Sequence, residues 1–73
     1  GKNVRINLSE EQISNLTRET GNEGVCGTCL EEYTEDEEMI VLHCEGKHTF
    51  HPNCIIPWLK MSVYCPTCRS DLR

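Results

Sequence analysis

Apolar residues are sparse in the first third of the chain, and the clearest signal there is a helix start. Ser9 and Gln12 form the capping-box pattern S-x-x-Q, in which each side chain satisfies a free backbone amide. Leu8 and Ile13 flank this pattern at the spacing of a hydrophobic staple. The pattern predicts a short helix over about residues 10–18, which is too short to be stable alone. The helix should therefore pack on the rest of the chain or on a partner.

The densest apolar run lies in the middle of the chain. Residues 39–43, Met-Ile-Val-Leu-His, combine apolar and β-branched side chains, which favours a strand. Residues 45–47, Glu-Gly-Lys, have turn character, and Thr49 and Phe50 follow as a returning strand. The pattern predicts a short β-hairpin.

Residues 52–60 are typical of a second helix. Ile55 and Leu59 lie four positions apart, so we expect them to share the face that packs on the core. Pro57 is tolerated in the first turn of a helix, where its missing amide has no partner to lose. We therefore expect this helix to start near residues 53–54.

The composition limits what the fold can rely on. The chain has 73 residues, of which 37% are hydrophobic, together with six Cys and three His. A core of this size contributes little net stability, so we expect a further staple. The net charge of −5 disfavours nucleic acid as a partner, because phosphate binding needs clustered Lys and Arg. No apolar run is long enough to span a bilayer, so we expect no membrane contact by this segment. Since the chain begins with Gly1 rather than Met, we also expect it to be a piece of a longer protein.

The acidic residues are clustered. Six of them fall within eight positions: Glu31, Glu32, Glu35, Asp36, Glu37 and Glu38. Blocks of like charge repel one another and remain in water, which favours a solvated loop. A docking surface for a basic partner is the alternative.

The cysteines and histidines carry the strongest signal. Six Cys can pair as disulfides in 15 ways, but the spacing favours metal. Zinc takes four thiolate or imidazole ligands in a tetrahedron, and closely spaced pairs meet that geometry. Eight candidates form four such pairs: Cys26, Cys29, Cys44, His48, His51, Cys54, Cys65 and Cys68. They are enough for two closed, structural sites, and His43 remains as a surface or strand-end imidazole.

The ligand order Cys-Cys-Cys-His-His-Cys-Cys-Cys from Cys26 to Cys68 resembles the RING-H2 subclass of RING fingers. PHD fingers place Cys fourth, where this chain has His48, and a LIM domain needs a Cys where Pro57 stands. The resemblance implies a small zinc-stapled α+β fold, in which a short β-hairpin, one central helix and two structural zinc ions form a cross-brace. It also implies a RING-H2 domain over residues 24–73, preceded by a flanking segment with a short helix over residues 1–23.

The resemblance further implies how the ligand pairs are shared. In a cross-brace the pairs alternate between the two ions. The first zinc is then expected on Cys26, Cys29, His51 and Cys54. The second is expected on Cys44, His48, Cys65 and Cys68.

RING-H2 proteins are typically E3 ubiquitin ligases that bind a ubiquitin-charged E2, so the resemblance implies E2, ubiquitin and an unknown protein substrate as partners. Trp58, Pro66 and Arg69 match the family's E2-binding positions, and Arg69 matches the cationic linchpin between E2 and ubiquitin. Leu30 is expected to add apolar surface to this face, whereas Thr28 replaces the usual bulky aliphatic residue. If all six Cys bind zinc, none can carry ubiquitin as a thioester, so transfer should be direct.

Two other functions remain open. Thr28 favours a non-catalytic RING scaffold or heterodimerisation module, and the acidic run is compatible with a reader of a basic histone tail. Reduced thiolates that hold zinc indicate an intracellular location. We expect the cytoplasm or nucleus, or the cytosolic side of a membrane if the full-length protein is anchored.

Overall fold

A computed structural model describes residues 7–21 and 24–73. Two helices and three strands follow one another along these residues: α1 (Glu10–Ser14), β1 (Thr17–Thr20), β2 (Glu38–Val41), β3 (Thr49–Phe50) and α2 (Pro52–Leu59). The strands form one antiparallel sheet in the order β1-β2-β3. The small zinc-stapled α+β class is confirmed, with one strand more than the predicted hairpin.

The capping box is present as predicted, but the helix it starts is shorter. The Ser9 hydroxyl accepts from the Gln12 amide at 3.1 Å, and the Gln12 side chain accepts from the Ser9 amide at 2.8 Å. Helix α1 ends at Ser14, so the prediction of a helix over residues 10–18 was wrong beyond that point. The chain turns there and enters β1, because pairing with β2 outweighs a helical preference that was weak from the start.

Strand β1 was not predicted, and its sequence shows why. All four of its side chains, Thr-Arg-Glu-Thr, are exposed, so it lacks the alternation of apolar and polar residues that marks a strand. Its pairing with β2 places Thr17 opposite Val41 and Thr20 opposite Glu38. Arg18 also donates to the Glu38 carboxylate at 2.9 Å across the two strands. Main-chain pairing, and not burial, therefore holds this edge strand.

The predicted hairpin is confirmed, with shorter strands. Strand β2 stops at Val41, so the predicted extension to residue 43 was wrong. The Leu42 amide still donates to the His48 carbonyl at 2.9 Å, which closes the hairpin beyond the sheet. Strand β3 is Thr49–Phe50, as predicted, and pairs Phe50 with Ile40.

Helix α2 covers Pro52–Leu59, which confirms the predicted helix over residues 52–60, and it begins one residue before the expected start near residues 53–54. Pro52 occupies the first helical position, where a missing amide costs nothing. Pro57 therefore lies inside the helix and cannot donate to the Asn53 carbonyl. Ile55 and Leu59 face the core as predicted and are fully buried, and their burial offsets the lost hydrogen bond.

One hydrophobic core extends from Leu8 to Leu72 and joins both ends of the described residues. Phe50 lies in it with no exposed surface, beside residues from the sheet and from α2. Leu8, Ile13 and Leu16 belong to the same core, so the N-terminal segment packs on the rest of the fold. Neither helix in the described residues is long and apolar enough to cross a membrane.

Candidate zinc centres and partner-binding surface

Two tight turns with the same backbone hold the C-x2-C pairs. The first knuckle is residues 25–32 and the second knuckle is residues 64–71. Each is closed at its base by one antiparallel bridge, Val25 to Glu32 in the first and Tyr64 to Asp71 in the second. The equivalence of these two bridges shows that the chain builds the same support for both pairs.

The hydrogen bonds inside the knuckles also correspond. The Leu30 amide donates to the Cys26 carbonyl at 3.0 Å, and the Arg69 amide donates to the Cys65 carbonyl at 2.8 Å. Leu30 and Arg69 both have a left-handed backbone with φ of 65°. This conformation is uncommon for residues with a side chain, and it turns the chain sharply after the second cysteine of each pair.

The fold gathers the eight predicted ligands into two groups. The first group joins the first knuckle to the start of α2 and contains Cys26, Cys29, His51 and Cys54. The second group joins the hairpin turn to the second knuckle and contains Cys44, His48, Cys65 and Cys68. Within each group the ligand atoms lie within 4.8 Å of one another. The first and third pairs thus share one site and the second and fourth pairs share the other, as the resemblance implied.

The chemistry of each group suits zinc. Three thiols and one imidazole match the ligand set and number of structural zinc sites. His51 Nδ1 lies 3.3 Å from the Cys29 sulfur, and His48 Nδ1 lies 3.5 Å from the sulfurs of Cys44 and Cys65. Each histidine therefore turns the same nitrogen to its thiols. The four ligands of each group leave no position for substrate, which makes these centres structural.

Within the first group, the surroundings lower the pKa of one thiol and raise the pKa of another. Burial opposes ionisation of Cys26, but hydrogen bonds from backbone amides, including those of His51 and Thr28, lower its pKa to about 6. Burial, together with the neighbouring thiols of Cys26 and Cys29, raises the pKa of Cys54 to about 12. A thiol with so high a pKa becomes a thiolate at neutral pH only when a cation binds it, so Cys54 ionises together with metal binding.

The second group shows the same contrast. The hydroxyl and amide of Ser70 lower the pKa of Cys68 to about 6, with the hydroxyl oxygen 3.2 Å from the sulfur. Burial raises the pKa of Cys65. Each centre thus combines a thiol whose pKa is lowered with a thiol whose pKa is raised.

Glu37 supports the first centre and was missed in the sequence. Its carboxylate lies 3.1 Å from His51 Nε2, on the side of the ring away from the thiols. It also accepts from the Thr34 amide, and this bond and the one to His51 lower the pKa of Glu37. A carboxylate on the outer nitrogen of a ligating histidine fixes the orientation of the ring. Glu37 is one of six acidic neighbours, and no local signal in the sequence distinguishes it from the other five, which are exposed.

Two glycines lie where the centres leave no room for a side chain. A Cβ at Gly27 would approach the Phe50 ring to 2.6 Å and the Thr67 hydroxyl to 3.1 Å. A Cβ at Gly46 would approach the His48 ring to 2.6 Å. His43 lies outside both groups, as predicted, and is exposed, with Nε2 3.2 Å from the Leu72 carbonyl.

The predicted partner-binding residues lie on and beside the two knuckles. Thr28, Leu30 and Arg69 are exposed, and Leu30 retains 73% of its surface. Pro66 and Trp58 are half-buried, and the Trp58 indole N–H donates to the Tyr64 carbonyl at 2.7 Å. The last contact joins α2 to the base of the second knuckle.

The knuckles also meet each other. Gly27 of the first knuckle lies against Thr67 of the second, and these residues are the neighbours of Thr28 and Pro66. The structure therefore brings Thr28, Pro66 and Trp58 to adjoining parts of the molecule.

Comparison with known proteins identifies the family. The sequence profile described as Ring finger domain matches residues 24–69. The chain belongs to the RING finger family. A solved RING-H2 domain, that of Arabidopsis RMR1, is 32% identical and superposes with a TM-score of 0.77, over 92% of this chain and 97% of that one. The order of ligands, the two centres and this likeness all make the chain a RING-H2 finger.

Curated relatives include E3 ubiquitin ligases. E3 ubiquitin-protein ligase RNF181 of Rattus norvegicus is 47% identical over 47 residues, 64% of this chain and 27% of that protein. E3 ubiquitin-protein ligase RNF115 of Homo sapiens is 41% identical over 69 residues, 86% of this chain and 22% of that protein. The chain thus spans about a quarter of the length of these relatives. Both of these relatives are named as E3 ubiquitin-protein ligases.

Proposed function

We propose that this RING-H2 domain binds a ubiquitin-charged E2 and promotes direct transfer of ubiquitin to a lysine of a protein substrate. The observation that carries the proposal is the position of Arg69 and Trp58 around the exposed second knuckle, next to a closed metal centre. The E3 ligases among the curated relatives support the same reaction class.

The ligand groups support direct transfer. All six Cys of the chain belong to the two metal-binding groups. A covalent E3 intermediate needs a free nucleophilic thiol, and this chain has none to spare once zinc is bound. The E2 cysteine then keeps its ubiquitin thioester until the substrate lysine attacks, and the RING-H2 domain contributes positioning.

The proposed E2-binding face combines apolar and polar surface. Leu30 and Trp58 supply apolar contacts on the first knuckle and on α2, and Pro66 supplies a rigid contact on the second knuckle. Leu30 is exposed and Trp58 and Pro66 are half-buried, so each of the three leaves apolar surface available to a partner. Thr28 adds a smaller, polar contact beside them.

Arg69 is proposed as the linchpin, a residue that positions ubiquitin against E2 without acting as a nucleophile. Within the described residues its guanidinium makes no hydrogen bond or ion pair, so its donors are free for a partner. Its backbone is fixed by the bond to Cys65 and by the left-handed conformation. A planar guanidinium can donate to two proteins at once, which an ammonium group does less well.

Arg69→Lys tests the linchpin because it retains the charge and loses the planar fork. Loss of one charge-assisted hydrogen bond costs about 1.5–3 kcal/mol, so we expect ubiquitin discharge to slow about tenfold or more with E2 binding largely kept. Arg18→Lys on β1 is the matched control. Equal discharge by the two variants would remove the proposed role of Arg69.

Trp58→Ala tests the docking face. We expect the zinc-loaded variant to need a higher E2 concentration for half-maximal discharge, because the largest side chain of the face is lost. Zinc content and circular dichroism check that the domain stays folded. Unchanged E2 dependence in a folded Trp58→Ala variant would place the docking face elsewhere.

A non-catalytic scaffold or heterodimerisation module is the second candidate, and Thr28 is the observation that favours it. Thr28 is exposed at the tip of the first knuckle, where the family's usual bulky aliphatic residue contacts E2. Thr28→Ile should strengthen E2 binding if the domain is a ligase with reduced affinity. If wild type and Thr28→Ile both fail to stimulate any E2, the scaffold function is favoured.

We further propose that the domain works where thiols stay reduced, in the cytoplasm or nucleus or on the cytosolic side of a membrane. The support is chemical, since the six Cys suit metal as thiolates and would lose it as disulfides. Imaging of the tagged full-length protein tests this directly, and a location outside the cytosol and nucleus would contradict it.

A further inference from the structure

The N-terminal segment, residues 7–21, lies outside the Ring finger match and yet is built into the fold. Its apolar residues Leu8, Ile13 and Leu16 retain only 2%, 7% and 8% of their surface. The segment supplies no zinc ligand, because all eight ligands follow it in the chain. We therefore asked what else the buried N-terminal segment does in the fold.

The segment holds the end of α2. The Leu8 amide donates to the Leu59 carbonyl at 3.0 Å. Leu59 is the last residue of α2, and carbonyls at a helix end have no donor inside the helix. The side chains of Leu8 and Leu59 are both buried in the common core. Leu8 thus fixes this helix end through its backbone and its side chain together.

Helix α2 is short and contains a proline, and both features weaken it. It has eight residues, a length at which helices are marginal in isolation. Pro57 also removes the hydrogen bond to the Asn53 carbonyl, which would connect the first turn to the last. The last turn, which carries Trp58, therefore has one intrahelical bond fewer to the first turn.

Trp58 is held on its other side by the second knuckle. Its indole N–H donates to the Tyr64 carbonyl at 2.7 Å, and its own carbonyl accepts from the Met61 amide at 2.9 Å. The side chain is half-buried, so part of the ring packs on the core and part faces solvent. The ring is thus bonded to Tyr64, and the residue after Trp58, Leu59, is bonded to Leu8.

We propose that Leu8 is a positioning residue for E2 docking and sets the pose of Trp58 through the end of α2. Leu8 is held in place by the two elements that follow it in the sequence. These are α1 with its capping box and β1, which pairs with β2. This inference rests on the proposed function, since it assigns to the N-terminal segment a part in the E2-binding face.

The test compares Leu8→Ala with Leu16→Ala in the zinc-loaded chain. Both remove the same atoms from buried leucines of the same segment. Leu8→Ala keeps the amide that donates to the Leu59 carbonyl and loses the side chain that packs beside this end of α2, whereas Leu16 makes no bond to α2 in the described residues. We expect Leu8→Ala to raise the E2 concentration for half-maximal discharge by about fivefold, because displacement of a docking side chain is costly, and to leave the maximal rate unchanged. Leu16→Ala should stay within about twofold of wild type. Equal effects of the two variants would overturn the inference.

A double variant shows whether Leu8 acts through Trp58. If it does, Leu8→Ala combined with Trp58→Ala should bind E2 no more weakly than Trp58→Ala alone. Effects that multiply would overturn the inference. Because Trp58 is the only tryptophan of the chain, its emission reports the pose directly, and we expect a shift in Leu8→Ala that Leu16→Ala does not show.

Further controls distinguish a folding defect, a failure of this inference and a failure of the proposed function. If Leu8→Ala loses its zinc or its circular dichroism, the pair Leu8→Val and Leu16→Val is compared by the same measurements and judged by the same outcomes. If Trp58→Ala weakens E2 binding while Leu8 and Leu16 variants behave alike, only this inference fails. If the wild-type chain stimulates no E2, the proposed function fails and this inference fails with it.

Discussion

The first and second knuckles repeat the same backbone around two different metal centres. Each has one bridge at its base, the same amide-to-carbonyl bonds and a left-handed residue after its second cysteine. Their side chains differ at equivalent positions. Gly27 and Leu30 of the first knuckle correspond to Pro66 and Arg69 of the second. The comparison shows that ligand geometry fixes the backbone and leaves the remaining positions free to diverge.

Because of these different side chains, the first knuckle packs on the core and the second knuckle exposes a charge. A Cβ at Gly27 would lie 2.6 Å from the Phe50 ring, so the first knuckle leaves no room for a side chain against the core. Arg69 is exposed with a free guanidinium among the described residues, so the second knuckle presents a charge to solvent. The histidines differ too. His51 has the Glu37 carboxylate on its outer nitrogen, whereas His48 has no carboxylate partner in the described part of the chain.

Removal of zinc breaks both knuckles and has the largest expected effect. Structural zinc contributes about 10–16 kcal/mol to the folding of small domains, and this core has little else to rely on. A strong chelator should therefore unfold the chain, as followed by circular dichroism and Trp58 emission. Mass spectrometry of the native chain should give two zinc ions, one for each group. A single zinc, or a fold that survives chelation, would contradict the account.

Gly27→Ala tests whether the first knuckle is the more closely packed. The added Cβ would lie 2.6 Å from the buried Phe50 ring, and overpacking of this kind costs about 1–3 kcal/mol. Pro66→Ala, at the equivalent position, should cost under about 1 kcal/mol. The measurement is the thermal midpoint at equal free zinc, because zinc binding itself shifts apparent stability. Similar losses at both positions would contradict the packing difference.

Glu37→Ala sharpens the difference between the two centres. Loss of a carboxylate behind a ligating histidine lowers metal affinity by about 10–100-fold, and half-exposed Glu37 should fall near the lower limit. Competition with a zinc indicator should show one weakened site and one unchanged site. Glu35→Ala, from the exposed part of the acidic run, is the matched control. Two unchanged sites, or two weakened ones, would remove the proposed role of Glu37.

Exchange of the side chains after the second cysteines should have the smallest effect on the fold. Leu30 and Arg69 are both exposed and share φ of 65°, so Leu30→Arg and Arg69→Leu should each change stability by less than about 0.5 kcal/mol. Ubiquitin discharge should fall in both variants, since each removes a proposed partner contact. A large loss of stability in either variant would show that these side chains have a structural task.

What the sequence allowed us to predict depended on the type of signal. The capping box and the apolar run of β2 are local patterns, and both were recovered. Strand β1 does not alternate apolar and polar residues, and it forms by pairing with β2. No local sequence pattern therefore predicted it. The start of α2 at Pro52 was misjudged, because burial of Ile55 and Leu59 outweighs the cost of Pro57 inside the helix.

In the site, too, the features with a local sequence pattern were predicted and those that depend on the tertiary fold were not. Ligand spacing predicted two metal-binding groups, since close pairs of Cys and His at this spacing are typical of structural zinc sites. Glu37 reaches His51 from a different part of the chain, and only the folded backbone shows which of six acidic residues makes that contact. The bond from Leu8 to Leu59 is likewise a consequence of the tertiary fold.

Single-turnover discharge of ubiquitin from a charged E2 onto free lysine tests the central claim most directly. The assay uses the zinc-loaded chain, a small panel of E2 enzymes and Arg69→Ala as control. We predict that at least one E2 discharges faster with the wild-type chain and that the acceleration disappears in Arg69→Ala. No acceleration with any E2 in the panel, with two zinc ions bound, would contradict the proposed ligase function and favour a scaffold.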